Sequence, residues 1–188
     1  MVRPTKDKNR SVFQMTRRFV KKIIRKWNTY LAYQEFRGAQ LDHVILGPEL
    51  DKRFEIRFPE KLEVGYKTVI SGDCFINARG GVKIGRYCHI AKGLTIYSHN
   101  HNWKSQTYIP YDDMDIEKPV SIGDCVWIGC NVTIAPGSKI GNGVIISSGA
   151  VVFGEIPSCA IIRGNPAVVI GYRDVEVFDR LYKAGMFK

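Results

Sequence analysis

The 188-residue sequence has no run of 18 uncharged apolar residues, which excludes a helical membrane span. Nothing near its beginning reads as a signal peptide: charges come first and no apolar stretch follows them, so a cytoplasmic location is the expectation. No CxxC pair occurs, and the five cysteines (Cys74, Cys88, Cys125, Cys130, Cys159) are odd in number. A disulfide framework finds no support in that pattern. The cysteines alternate with apolar residues, as small reduced core residues do. Acids are nearly missing from the first 37 positions, where Asp7 and Glu35 stand against 11 Lys and Arg. Beyond them lie 17 basic and 16 acidic residues, so the net charge of +10 belongs to an N-terminal appendage. No nucleic-acid-binding motif accompanies this charge, and no nucleic-acid partner is expected.

Residues 11–37 read as an amphipathic helix. Apolar residues recur every three or four positions from Val12 through Phe19, Ile23, Trp27 and Leu31, with Lys and Arg on the other face. Ser11 is placed to cap its start and Gly38 to end it. Such a helix can cover the first layer of the body or a neighbouring subunit. It can also lie on an anionic inner membrane face through residues 11–37.

From there the period changes to six. Ile122, Ile128, Ile134, Ile140, Ile146 and Val152 follow without a slip, and Ile84, Ile90 and Ile96 do the same upstream. Ile70, Ile76 and Val82 form a third run, offset by two from Ile84. Six is neither a helical period nor strand alternation; it suits a short strand plus a corner. Asp124, Asn131, Gly137, Asn142, Gly143 and Gly149 fall at the expected corners, where tight turns and positive φ are tolerated. Three hexads make a coil of 18 residues, so Ile122 stacks on Ile140, Ile128 on Ile146 and Ile134 on Val152.

The pattern breaks once, after Ile96, and resumes near Val120. The interruption opens with Tyr97-Ser98-His99-Asn100-His101-Asn102-Trp103 and is rich in acids further on. A long loop leaving a regular solenoid is usually functional. Residues 157–170 read as an irregular segment marked by Pro and Gly, and residues near 174–184 as a short helix that caps the open end. The expected division is a basic helical segment (1–40), a β-helix domain (41–173, loop 98–119) and a C-terminal capping helix (174–188).

The hexads, the loop motif, Val126-Trp127-Ile128-Gly129 and Arg163-Gly164-Asn165-Pro166-Ala167 together resemble the hexapeptide-repeat acyltransferases. That family includes the galactoside and maltose acetyltransferases. The ending from Ile161 to Ile170 is most similar to bacterial polysaccharide and lipopolysaccharide O-acetyltransferases. The resemblance spans about residues 60–173. It implies a mainly β fold, a left-handed parallel β-helix, assembled as a homotrimer. It also implies acetyl-CoA as the acyl donor and a saccharide acceptor, in the biosynthesis of a surface polysaccharide.

Moving an acetyl group from a thioester to an alcohol needs a base at the hydroxyl, and imidazole serves near neutral pH. His101 occupies the position of the family's catalytic histidine. Asp115 is the choice among Asp112, Asp113, Asp115 and Glu117 for the group that fixes its tautomer, against a plain solvated acidic loop. Asn77 matches an asparagine that contacts the acceptor in sugar acetyltransferases, or else stacks at a corner. Arg79, Tyr97 and His99 are further acceptor-side candidates. Trp127, Cys130 and Ser148 match positions along the cofactor arm. Arg163 and Asn165 complete the cofactor group.

Two features depart from the compact sugar acetyltransferases. Where they carry basic residues late in the chain, this sequence has Val168, Gly171 and Gly154; Arg163, Arg173 and Lys139 are the substitutes for meeting the CoA phosphates. The basic N-terminal helix is the other. No metal is expected, because the four histidines lack the spacing of the three-histidine zinc sites of γ-class carbonic anhydrases. Rival readings are an N-acetyltransferase of a nucleotide-linked amino sugar and a non-catalytic β-helix scaffold.

Overall fold

Branched apolar side chains at every sixth position can be hidden only if each short strand lies on the one a coil later, and the computed structural model, which describes residues 8–46 and 53–188, is built that way. About six turns wind a parallel β-solenoid with three flanks. The first flank stacks Gln40–Leu41, Leu62–Val64, Val82–Ile84, Val120–Ile122, Lys139–Ile140 and Glu155–Ile156. On the second lie Ile45–Leu46, Val69–Ile70, His89–Ile90, Trp127–Ile128, Ile145–Ile146 and Ala160–Gly164. The third holds Phe54–Arg57, Cys74–Asn77, Thr95–Tyr97, Thr133–Ile134 and Val151–Val152.

The registers pair Ile122 with Ile140, Ile128 with Ile146 and Ile134 with Val152, as the 18-residue coil requires. Branched apolar side chains, mostly Ile with Leu46, Val64 and Val152 in the outer coils, point inward and are almost wholly buried, giving three columns. Each such side chain contributes about 1.5–3 kcal/mol of burial. Polar corners add a second ladder. Asp124 N donates to Asn142 Oδ1, and Asn142 N donates to Ser158 Oγ, so a side chain of one coil satisfies the backbone of the coil below it. Positive φ falls at Asn131, Gly137, Gly143 and Gly149 as expected, but at Cys125 rather than at Asp124.

The two-residue offset between the upstream runs has a structural cause. Val82 and Ile84 share one strand, and the two extra residues lengthen the corner Asn77–Gly81. That corner lies one coil before the long loop, on the same edge of the solenoid.

Several expectations need correction. The first helix, α1, runs Lys8–Glu35, so Ser11 lies inside it rather than at its cap. Its apolar stripe does not pack on the body. Only its last turns do: Ala32 and Phe36 are buried, Phe36 meets Phe54 at 5.5 Å, and Tyr33 Oη donates to Val44 O. Residues 157–170 are not irregular, since Ala160–Gly164 and Ala167–Tyr172 form an antiparallel hairpin with Asn165 and Pro166 in its turn. The C-terminal helix α2 (Val175–Lys183) does not cap the open end. It lies along the corner between the first two flanks: Phe178 covers Gly143, Tyr182 bonds Asp124, and Phe187 stacks on Tyr87 at 4.0 Å. Of the cysteines, Cys74, Cys88 and Cys159 are buried; Cys125 is half-buried and Cys130 exposed. Among the described residues no helix is long and apolar enough to cross a membrane.

Candidate active site

The loop 98–119 begins where the third flank turns toward the first. Ser98 is fully buried and forms its neck. Its hydroxyl donates to Asn77 O and accepts from Gly80 N, while its carbonyl accepts from Lys118 N at the loop's far end. Gly80 has to be glycine, because a methyl group there would overlap Ser98 O. The long corner 77–81 and the loop are therefore locked to each other.

Above the neck the loop is a two-stranded antiparallel ribbon, His99–His101 against Asp115–Glu117. His101 pairs with Asp115 across it. His101 Nδ1 stands 3.3 Å from Asp115 Oδ1, a little looser than a formed hydrogen bond. The His101 side chain is 51% exposed and that of Asp115 16%. A carboxylate only accepts, so this contact favours the proton on Nδ1 and leaves the Nε2 lone pair free. Arg79, from the long corner below, reaches up to place Nη2 2.7 Å from Asp115 Oδ2. Tyr111 stacks flat on the other side of the imidazole, at 4.1 Å between centroids and 9° between planes. The tip is fastened separately: Asn102 Nδ2 donates to Asp112 Oδ2, and Met114 N donates to Asp112 Oδ1. The Met114 N–H leads the interactions that hold the Asp112 carboxyl below its ordinary range.

His99 precedes His101 on the same strand, with ring centroids 6.2 Å apart. Its Nδ1 is buried and makes no hydrogen bond within the described residues. A buried nitrogen without a partner costs on the order of 1–3 kcal/mol until something bonds it. Asn77 is buried; its Oδ1 accepts from Arg79 N and its carbonyl from Ser98. Tyr97, half out of the surface at the strand end, leans on Phe75 at 5.2 Å.

These residues come together around one corner. The cofactor-side candidates lie elsewhere. Trp127 is exposed on the second flank between His89 and Ile145. Cys130 N donates to Ser148 Oγ at the following corner, which joins those two residues across neighbouring coils. Arg163 and Asn165 are exposed on the last hairpin. Among the three substitute cations, Arg173 donates to Gly143 O at 2.6 Å and Lys139 pairs with Glu155 at 2.8 Å. The Arg163 side chain makes no hydrogen bond or ion pair within the described residues. Among those residues, no group of three or more His, Cys, Asp or Glu converges as a metal site.

Three contributors escaped the sequence reading: Ser98 and Gly80 at the neck and Tyr111 at the imidazole. Gly80 carried a signal, since it lies in the two-residue offset. Tyr111 carried none.

Comparison with known proteins agrees with this architecture. The family described as bacterial transferase hexapeptide (six repeats) matches residues 119–154. A yeast protein named "Putative acetyltransferase YJL218W" (Saccharomyces cerevisiae) is 31% identical over 153 residues, covering 78% of this chain and 76% of its own. "Putative colanic acid biosynthesis acetyltransferase WcaF" of Escherichia coli is 28% identical over 152 residues, 80% of this chain and 78% of that one. "Putative lipopolysaccharide biosynthesis O-acetyl transferase WbbJ" of Escherichia coli is 44% identical over 96 residues, 47% and 49% of the two chains. Among solved structures, the hexapeptide-repeat acetyltransferase VCA0836 of Vibrio cholerae, complexed with acetyl coenzyme A, superposes with a TM-score of 0.64 at 23% identity. The match covers 81% of this chain and 82% of that one.

Proposed function

The chain belongs to the hexapeptide-repeat acetyltransferases, and on that premise we propose that it moves an acetyl group from acetyl-CoA to a saccharide hydroxyl, with His101 as the base. The observation that carries this is the relay Arg79–Asp115–His101, which leaves one imidazole nitrogen free at the root of the loop. Nε2 of His101 takes the acceptor's proton as its oxygen attacks the thioester carbonyl. The carbon–sulfur bond then breaks, and the same proton passes to the departing thiolate. Asp115 holds the imidazole orientation and stabilises its charged form; Arg79 holds Asp115 rather than the acceptor. The unpartnered His99 Nδ1 and the Tyr97 ring supply a hydrogen-bonding group and an apolar platform for a sugar. The names of WcaF and WbbJ favour a surface-polysaccharide acceptor and O-transfer.

The enzyme works, in this reading, as a homotrimer with sites between subunits. In one chain His101 stands on an open surface, and the loop tip exposes Trp103, Tyr108, Ile109 and Met114. A neighbouring copy would cover that apolar tip and exclude water from the thioester. Trp127, Cys130 and Ser148 would line the pantetheine arm, and Arg163 with Asn165 would meet the nucleotide end.

The test is thiol release from acetyl-CoA against a panel of free, nucleotide-linked and lipid-linked sugars, amino sugars included. With the accepted substrate, His101→Ala should lose about 10²–10⁴-fold in kcat. Unchanged turnover in that variant would remove His101 from the chemistry. Transfer only to an amino group would replace O- by N-acetylation. Light scattering should return the mass of three chains of 21.3 kDa.

A further inference from the structure

The two faces of α1 are used in an unexpected order. At 100° per residue, Met15, Phe19, Val20, Ile23, Ile24, Trp27, Tyr30 and Leu31 fill one half of the helix. Arg17, Arg18, Lys21 and Lys22 occupy the rest, and Lys26 falls just inside the edge of the apolar half, between Met15 and Phe19. The buried residues that seat the helix on the solenoid, Ala32 in its last turn and Phe36 just after it, project from the basic side, and Tyr33 at the edge of the stripe adds its bond to Val44 O. So the helix attaches by its polar side, and its apolar stripe faces away from the body. Every stripe residue is exposed, Phe19 by 64% and Trp27 by 60%.

Charge decides between occupants for that stripe. The segment Lys8–Glu35 carries eight Lys and Arg and a single acid, Glu35 at its end. A second copy of the same helix would bring the same charge with it, and like charges repel at close range. An anionic lipid surface satisfies both halves together. The apolar stripe sinks below the headgroups while Lys and Arg reach lipid phosphates from its borders. The body beyond residue 37 is nearly neutral, with 17 basic and 16 acidic residues, so attraction would act through this helix alone.

We propose that α1 lies in the interface of an anionic membrane, apolar stripe down, and holds the solenoid at the lipid surface through its last two turns. The partner is the lipid surface itself. This inference does not depend on the acceptor or on His101.

The experiment is flotation of the full chain with vesicles of phosphatidylcholine containing about one third phosphatidylglycerol, against phosphatidylcholine alone. Tryptophan emission is followed in parallel, with Trp27→Phe identifying the contribution of Trp27. The chain is expected to float with anionic vesicles only, with a blue shift that Trp27→Phe removes. Ile23→Asp with Trp27→Asp should abolish flotation. Lys21→Gln with Lys22→Gln should weaken it by about 25-fold, at roughly fivefold per cation. Circular dichroism and elution volume check that the variants fold and assemble as before. Equal recovery of the native chain and the Asp variant would overturn the proposal. So would no flotation with a smaller assembly in the Asp variant, which would make the stripe an interface between copies. Binding to nucleic acid in place of vesicles would overturn it as well.

Discussion

His101 and Asp115 face each other across a two-stranded ribbon, Nδ1 to Oδ1, at 3.3 Å. The ribbon register sets this pairing, and Arg79 secures it from the coil below. Removing Asp115 should thus leave the base in place but free to turn. Asp115→Asn is expected to lower kcat by about 10–100-fold, with little change in KM for acetyl-CoA. Arg79→Ala should do similar harm through the same carboxylate. The double variant should then cost little more than the worse single one, since the residues act as a unit. Steady-state kinetics on all four proteins checks this, and fully additive losses would break the relay into independent parts.

Much of this arrangement can be traced to irregularities in an otherwise strict repeat. The hexads fix the columns because a period of six allows only one stacking of Ile122, Ile128 and Ile134 on the next coil. Two of the places where the period fails, Asn77–Gly81 and the loop after Ile96, fall on the same edge one coil apart. The contacts within that edge are not periodic. Asp115 stood among four acids, and its selection comes from ribbon register, a tertiary fact. Tyr111 meets His101 because the loop folds back, which no spacing announces. The two ends were misread for a related reason. An amphipathic helix shows its apolar face in sequence but not which side will attach, so α1 seats on Ala32 and Phe36. Likewise α2 follows a groove of small corner residues, where Phe178 fits over Gly143.

The neck offers a second test. Ser98→Ala leaves Gly80 N without its acceptor in a half-buried place, a cost of about 1 kcal/mol. Gly80→Ala must also push Ser98 O and Lys118 N aside, both backbone atoms, so it should destabilise more. Thermal unfolding measures the first effect. Turnover well below the melting range measures the second, because a tilted loop misplaces His101. If Gly80→Ala melts and turns over like the native chain, the neck does not position the site.

Arg163 is the cation left free when Arg173 and Lys139 are committed to Gly143 O and Glu155. If it meets the CoA phosphates, Arg163→Ala should raise KM for acetyl-CoA by roughly tenfold or more, in line with a charged hydrogen bond, and spare kcat. The loss should vanish with a truncated donor such as acetyl-pantetheine, which lacks the phosphates. An equal loss with both donors would place Arg163 at the acyl end or in the fold.

The attachment of α2 should depend on pH in a defined direction. Burial alone would raise the Asp124 carboxyl, but hydrogen bonds from Tyr182 Oη, Arg86 N and Arg86 Nε outweigh it and hold the carboxyl below its ordinary range. The unfolded chain therefore binds the proton more readily, near pH 4, and stability rises with pH through that region. The contribution is complete above about pH 5 and is lost as pH falls toward the lower folded value. Asp124→Asn should thus be less stable than the native chain at pH 7, with the gap closing between about pH 5 and pH 3. Chemical unfolding at those pH values measures the gap, and proteolysis at Arg180 and Lys183 reports release of the helix. A gap that persists unchanged to pH 3 would mean that shape alone, through Phe178 and Phe187, holds α2 on the corner.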